Sequence, residues 1–284
     1  MASIDRYYAA CCQTDFPCPA DRSELAERVS KCIEFIERAV VGYEPFFDIK
    51  LVVFPEFVHA APIYGTVQEL ADKLAVTVPN EFTDQYAKAA KKHGVYIVAG
   101  TFLEVDPLHP GHVFNTSCLI GPDGVVMKYR KVQPWIPWEI HTSPATLTTD
   151  PLELFPEVLR GLAQNGAEVL VRVSAYMDPW GATPPMDWWT LFNRTRAIEN
   201  LCHVVACNQG AKLGNYPPFS WPGGSMIVDY DGRIMTQADP GPGEKIVVGP
   251  VDLAAQRFER DRRRGHQTLL HRFNSFYHGQ TKQG

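Results

Sequence analysis

The ten residues DIKLVVFPEF, Asp48 to Phe57, give the clearest indication of the fold. Asp48–Phe54 ends in an apolar run of strand length, which predicts a buried β-strand. Pro55 should end that strand, because proline has no N–H group to donate to a neighbouring strand. Glu56 follows at once, so the buried strand would fix a carboxylate just beyond its end.

On both sides of this strand, helical and strand patterns alternate along the chain. In the first half we predict strand Tyr7–Thr14, helix Arg22–Val40 capped by Asp21 or Ser23, helix Asn80–His93, strand Val95–Val105 and a hairpin over Val113–Lys131. In the second half we predict helix Phe155–Asn165, strand Ala167–Tyr176, helix Met186–Asn200, strand Cys202–Gly210, a hairpin over Gly224–Ala238 and strand Lys245–Leu253.

The order helix, strand, helix, strand, hairpin therefore occurs twice, which suggests an internal structural duplication. Alternation of strands and helices predicts an α/β fold, and the hairpins add antiparallel strands, so the sheets should be mixed. No Ser/Gly-rich linker separates the halves. We expect a single domain over residues 1–284, with a core at about 8–253 and a C-terminal tail at 254–284.

Composition excludes several classes of protein. The 284 residues are 45% hydrophobic and 21% charged with a net charge of −5, which argues against disorder and against a nucleic-acid partner. No apolar stretch approaches the roughly 18 residues of a membrane span, and no signal peptide is visible, so we expect a cytoplasmic protein away from membranes. Without CxxC or HExxH pairs or a glycine-rich phosphate loop, we expect neither a metal nor a cofactor.

Three polar segments are candidates for chemistry. Glu56 lies in VVFPEF, Lys131 in KYRKVQPW, and a third charged group lies in RAIEN at 196–200. Each has a structural alternative: an exposed loop acid, a surface lysine, and a helix cap or ion pair.

Taken together and in order, the motifs resemble the nitrilase superfamily of carbon–nitrogen hydrolases. They are FPE, RK 75 residues later, a second FPE, RAIEN, NQG and GGSMIVDYDG, and they span Tyr8 to Leu253. The resemblance implies an αββα sandwich, with two mixed sheets between helix layers. It also implies association through a helix face into a homodimer or a larger homo-oligomer.

The resemblance further implies a catalytic glutamate, lysine and cysteine. Glu56 matches the general base, and Lys131 matches the lysine that stabilises the oxyanion. Glu139, in WIPWEIHTSP, matches a second glutamate that helps to position substrate and lysine in amidase-like members; the alternative is a loop acid that contacts a backbone amide. Trp135, Trp138 and Tyr176 would surround a substrate pocket, although core packing is the commoner role of tryptophan.

The cysteine nucleophile that the resemblance requires is missing. In the family it ends a strand before the second FPE, here Phe155–Glu157, yet the preceding ATLTTDPLEL contains no cysteine. Only 24 residues separate Lys131 from Phe155, and the segment after HTSP has no apolar run long enough for a strand. We therefore predict that the strand pair carrying the nucleophile is absent.

Other residues are weak substitutes for this nucleophile. Cys118, Cys202 and Cys207 lie in apolar contexts typical of inert, packed thiols. An ungapped match would place Asp150 at the cysteine position, but nothing else in that segment supports a nucleophile there.

The leading hypothesis is thus an amidase-like carbon–nitrogen hydrolase acting on a small non-peptide amide, with its activity limited by the missing cysteine. One alternative is a nitrilase for a small nitrile. Another is an inactive protein of the nitrilase fold that serves as a binding or oligomer subunit. A third explanation is that the natural protein contains a segment absent from this sequence. An intact mass of 31.8 kDa for the natural protein would rule out this explanation.

Overall fold

Two mixed β-sheets lie face to face in the computed structural model, which describes residues 5–15, 19–135, 138–145, 158–212, 216–217 and 219–263. The strands are β1 Arg6–Gln13, β2 Ile49–Val53, β3 Tyr96–Val105, β4 Val113–Gly121, β5 Gly124–Arg130, β6 Val169–Ser174, β7 His203–Asn208, β8 Met226–Val228, β9 Ile234–Gln237 and β10 Lys245–Asp252. The first sheet has the order β10-β1-β2-β3-β4-β5, and the second has the order β6-β7-β8-β9.

Helices cover the outer face of each sheet. They are α1 Leu25–Tyr43, α2 Val67–Lys73, α3 Glu81–His93, α4 Val158–Gln164, α5 Trp188–Asn200 and α6 Leu253–Arg262. Helices α1 and α3 pack on the first sheet, and α5 packs on the second. The predicted αββα sandwich is therefore confirmed. No helix within the described ranges is both long and apolar enough to cross a membrane.

Strand β1 shows how the sequence produces these layers. Ala9 and Cys11 belong to the apolar cluster between the two sheets, whereas Ala10 and Cys12 belong to the cluster beneath the helices. All four residues are fully buried. Because successive side chains of a strand point to opposite faces, an unbroken apolar run is required where both faces are covered.

The two sheets are unequal in size because the last strand crosses between them. Strand β10 pairs antiparallel with β1 in the first sheet, which gives that sheet six strands. Strand β6 pairs in parallel with β7 and, in the described part of the chain, with no other strand. Among the described strands, β6 therefore lies at one edge of the second sheet.

Some helices of the structure differ in presence or extent from those that local sequence patterns predicted. Helix α2 was not predicted, although its start is marked by Thr66, whose hydroxyl oxygen accepts the Glu69 N–H at 3.1 Å. Asp21 caps a short 3₁₀ turn that precedes α1. Helix α6 extends the packed region into the predicted tail, since its Gln256 is buried and donates to Leu201 O at 2.6 Å. The second FPE motif, at 155–157, lies outside the described residues.

Candidate active site

The backbone around Glu56 is held from both sheets. On the side of the second sheet, the Glu56 N–H points to Ser174 O at 3.4 Å, and Gln209 Nε2 donates to Glu56 O at 2.9 Å. On the side of the first sheet, the Phe57 N–H donates to Thr101 Oγ1 at 2.9 Å. Phe57 has a φ of 58°, a left-handed conformation that costs a non-glycine residue free energy. These contacts fix the direction in which the Glu56 side chain leaves the chain.

Lys131 lies between two carboxylates. Its Nζ is 2.8 Å from Glu56 Oε1 and 2.5 Å from Glu139 Oε2. Burial alone would lower the pKa of Lys131, but the charges of Glu56 and Glu139 raise it above its ordinary value. The ammonium group therefore stays protonated at neutral pH and presents a fixed positive charge.

Asn115 joins the two carboxylates and was not identified from the sequence. Its Nδ2 donates to Glu56 Oε1 at 2.8 Å and to Glu139 Oε1 at 2.9 Å. Glu139 also accepts the Trp135 N–H at 2.8 Å. Glu139 therefore contacts a backbone amide, as the alternative interpretation expected, and also forms the ion pair with Lys131. The available signal for Asn115 was a polar residue within the apolar strand pattern of 113–121.

Aromatic residues form one wall beside this group. Trp138 packs edge-on against Phe57 with ring centroids 5.1 Å apart, and it packs against the buried Trp221 at 5.6 Å. Lys131 Nζ is 5.9 Å from the Phe57 ring centroid. Apolar neighbours of this kind strengthen electrostatic interactions because they exclude water.

The predicted pocket residues Trp135 and Tyr176 make different contacts. Trp135 contributes its backbone N–H to Glu139 and is partly exposed. The ring of Tyr176 lies on the α5 side of the second sheet, 6.0 Å from the Trp189 ring and 6.4 Å from that of Phe192. A pocket shared by Trp135, Trp138 and Tyr176 therefore stays a prediction.

The described cysteines lie in other environments. All six are buried: Cys11, Cys12, Cys32, Cys118, Cys202 and Cys207. Burial raises the pKa of Cys118 to about 12 and that of Cys202 to about 11, which disfavours the reactive thiolate. Among the described residues, no cysteine hydrogen-bonds to Glu56 or Lys131. Asp150 and Cys18 lie outside the described residues.

Within the same described part of the chain, no group of three or more His, Cys, Asp or Glu side chains is placed to hold a metal ion. The arrangement as described can accept a proton at Glu56 and stabilise negative charge at Lys131.

Gly100 on β3 allows the loop that carries Glu56 to approach. It has a φ of +67°, and a Cβ added there would lie 2.4 Å from Pro55 O and 2.5 Å from Val58 Cγ1. We expect Gly100→Ala to lower the free energy of unfolding by about 3 kcal/mol, because the left-handed strain and the overlap add. Urea denaturation measures this loss.

Gly94 supplies the matched control for this substitution. It has a similar φ of +64°, with no atom within 4 Å of an added Cβ. Gly94→Ala should therefore show the conformational strain alone, about 1 kcal/mol. Equal losses in the two variants would contradict the close approach of the Glu56 loop.

His59 follows the same loop and is fully enclosed. Its Nδ1 is 2.9 Å from Thr101 O, its Nε2 is 2.8 Å from Tyr86 Oη, and its ring stacks on Phe102 at 4.0 Å. Nδ1 must carry the proton, since a carbonyl oxygen can only accept, and Nε2 then accepts from the Tyr86 hydroxyl. Burial lowers the pKa of His59 from 6.5 to about 4, with the Thr101 hydrogen bond opposing this change.

This environment predicts a loss of stability in acid. Between pH 6.5 and 4 the unfolded chain binds a proton that folded His59 does not, so stability falls as pH decreases, by about 3 kcal/mol from this group. In His59→Gln, urea denaturation from pH 7.5 to 4.5 should show a shallower decline than the native chain does. Identical declines would show that His59 titrates similarly in both states.

Most of the chain matches one protein family. A family model described as carbon–nitrogen hydrolase matches residues 8–153 and 152–258, so the match consists of two parts that meet at 152–153. The chain is 30% identical over 270 residues to a formamidase of Bacillus cereus strain Q1, which covers 89% of this chain and 76% of that protein. It is 29% identical, with the same coverage, to a formamidase of Bacillus thuringiensis strain Al Hakam.

Solved structures show the same architecture. Saccharomyces cerevisiae Nit3, a member of branch 10 of the nitrilase superfamily, superposes with a TM-score of 0.72 at 24% identity, covering 91% of this chain and 94% of that one. A carbon–nitrogen hydrolase from Helicobacter pylori G27 superposes with a TM-score of 0.69 at 17% identity, covering 91% and 93%. At these identities the likeness concerns the fold.

Proposed function

The chain belongs to the carbon–nitrogen hydrolase family and is an amidase-type enzyme by that membership, and we propose that Glu56, Lys131 and Glu139 form its reaction site for a small non-peptide amide. The observation that carries the proposal is the position of Lys131 Nζ between the two carboxylates, 2.8 Å from one and 2.5 Å from the other. The formamidases at about 30% identity support an amide as the substrate class.

Each residue has a separate role in the proposed reaction. Glu56 accepts the proton of the attacking nucleophile and returns it to the leaving nitrogen. Lys131 stabilises the negative charge that develops on the carbonyl oxygen. Glu139 and Asn115 act through Lys131 and Glu56, because they hold the ammonium group and the base in place.

The attacking group in the proposed reaction differs from that of the family. A family cysteine would attack the amide carbon as a thiolate, but the six described thiols lie elsewhere. In the chain as its sequence stands, we propose that water attacks instead: water gives its proton to Glu56, its oxygen bonds to the carbonyl carbon, and the C–N bond breaks as the nitrogen takes up the proton. The two-part family match, meeting at 152–153, supports the absence of a nucleophile-bearing segment there.

A second candidate function follows from the same observation. A site that keeps Glu56, Lys131 and Glu139 without a thiol could bind an amide and not turn it over, as a subunit that retains the scaffold. Ammonia release together with amide binding would support the first function, and amide binding without ammonia release would support the second.

The test is ammonia release from formamide, acetamide, propionamide and acetonitrile at high protein concentration, with binding of each compound measured by calorimetry. We expect amide-dependent ammonia release that falls at least tenfold in Glu56→Gln, and none from acetonitrile. Release from the nitrile and not from amides would favour a nitrilase. Binding that depends on Lys131 without ammonia release would favour the second candidate.

We also propose a homodimer or larger homo-oligomer in the cytoplasm. Large apolar side chains on α5 support the association, since Leu191 is 54% and Ile198 is 45% exposed. Light scattering of the native chain and of Leu191→Glu gives the mass of each; a monomeric native chain would contradict the proposed oligomer.

A further inference from the structure

One row of directly paired residues crosses the first sheet on the face that points to the second sheet. Its members, one from each strand from β1 to β5, are Cys11, Val53, Val98, Leu119 and Met127. Cys11 and Val53 are fully buried, and Val98 is 7% exposed. Leu119 is partly buried, whereas Met127 is 56% exposed. The cover over this face therefore decreases from one strand to the next and is mostly lost at β5.

Among the described strands, the second sheet covers this row only as far as β6. Cys11 Sγ on β1 lies 3.6 Å from Ala206 O on β7, so these two strands are stacked. A Cβ added to Gly249 on β10 would lie 3.1 Å from Ile227 Cδ1 on β8, so β8 lies over β10. It follows from the strand orders that β6 lies over β2. Since neighbouring strands are about 4.8 Å apart, β4 and β5 extend about 10 and 14 Å beyond β6.

Strand β6 presents a main-chain edge beside this overhang. In the described part of the chain, β6 pairs with β7 alone. The N–H and C=O groups along the outer edge of such a strand can pair with an added strand. A strand added there would lie in the layer of the second sheet, over the part of the first sheet that contains Leu119 and Met127.

Arg172 lies in the middle of β6 and faces the helix layer. Its neighbours Val171 and Val173 pack in the apolar cluster between the sheets, so the Arg172 side chain points to the opposite face. Its Nη1 donates to Asn193 Oδ1 at 3.1 Å, and its guanidinium group lies 4.7 Å from the Trp189 ring centroid. Among the described residues it has no acidic partner. An enclosed cation without an anion is costly, so this edge favours an added strand that carries an acidic side chain.

We propose that the outer edge of β6 binds an extended strand of a partner protein, in which apolar side chains that cover Leu119 and Met127 alternate with acidic side chains, one of which faces Arg172. A strand fits because its successive side chains point to opposite faces, and this position has an apolar surface on one face and a cation on the other. Main-chain pairing with β6 supplies affinity, and the contacts with Met127 and Arg172 supply specificity. This interaction surface does not depend on the hydrolysis of an amide.

The occupant is a separate strand and not a second copy of this chain. Pairing of β6 with the β6 of a second copy would place the β4 and β5 strands of both copies in the same space, because they extend beyond β6 in each copy. It would also place two Arg172 side chains on one face of the joined sheet, where like charges repel. A single strand meets neither obstacle.

The experiment measures binding of fluorescently labelled peptides to the full chain by anisotropy. The probe is a short peptide in which valine alternates with glutamate, and its control has lysine in place of glutamate. We expect the glutamate peptide to bind at least tenfold more tightly than the lysine peptide. Two N-methylated forms of the glutamate peptide, one methylated at the valine amides and the other at the glutamate amides, test main-chain pairing. Only one form should lose binding, since only one set of alternate amides faces β6.

Variants locate the binding site on the chain. Arg172→Gln should remove the preference for the glutamate peptide, and Met127→Gln should weaken binding of that peptide at least tenfold. Met235→Gln is the matched control and should leave binding unchanged, since Met235 is 44% exposed but lies on β9, at the other edge of the second sheet. Urea denaturation shows whether each variant is folded.

Two results on the native chain would overturn the proposed docking surface: equal binding of the glutamate and lysine peptides, or equal effects of the two N-methylated forms. Unchanged binding in folded Met127→Gln would also overturn it. A native oligomer that Met127→Gln dissociates in light scattering would show that a second copy covers this surface, and would overturn the assignment to a partner strand. Peptide binding by a chain that hydrolyses no amide would support the docking surface and count against the proposed function.

Discussion

Ammonia release from formamide by this chain should be at least on the order of 10⁴-fold slower than release by the Bacillus cereus formamidase assayed beside it. The physical reason is that the members of a covalent catalytic group act together, so removing the nucleophile costs several orders of magnitude. Glu56 and Lys131 can assist attack by water, but neither replaces the covalent step. The measurement is initial rate on purified protein whose intact mass agrees with 31.8 kDa.

Alkylation supplies the control for this prediction. Because the six described thiols are buried away from Glu56 and Lys131, iodoacetamide should leave the slow rate unchanged. Fast turnover that alkylation abolishes would contradict the prediction. Single serine substitutions of Cys118, Cys202 and Cys207 would then identify the thiol responsible.

Lys131→Met should lower the free energy of unfolding at pH 7.5 by about 3–5 kcal/mol, since it leaves buried carboxylates without their cation. Glu139 is 1% exposed and Glu56 9%, and Asn115 bridges them, so both charges would remain close together. Two like charges held this close repel each other once the cation between them is removed. Urea denaturation at pH 7.5 measures the loss.

The matched control removes one of the two negative charges. The double variant Lys131→Met with Glu139→Gln should recover at least half of the loss at pH 7.5, because only one of the two carboxylates then carries a charge. A loss below about 1 kcal/mol in Lys131→Met would contradict the prediction and indicate that the ion pair is well solvated.

The sequence predicted most strands and helices because their signals are local. The run KLVVF and the turn residues of GPDG act within a few positions, and β2 and the β4–β5 hairpin form where these signals place them. The position of β10 beside β1 depends on pairing between residues about 240 apart, which no local pattern encodes. The number of strands in each sheet likewise depends on pairing between residues that are far apart in the sequence.

The candidate site was predictable in so far as motifs marked it. Glu56, Lys131 and Glu139 each lay in a recognisable segment, and the structure brings their side chains together. Asn115 has no such segment. Its importance depends on the two carboxylates opposite it, which no local pattern places there.

The charged group of the site is built almost entirely by the first sheet and its loops. Glu56 follows β2, Asn115 lies on β4, Lys131 follows β5, and Glu139 lies a few residues later. The second sheet contributes backbone contacts at its Ser174 and Ala175. The geometry of these charges is therefore set mainly within the first sheet. The second sheet constrains it through the contacts of Ser174 and Ala175 with Glu56.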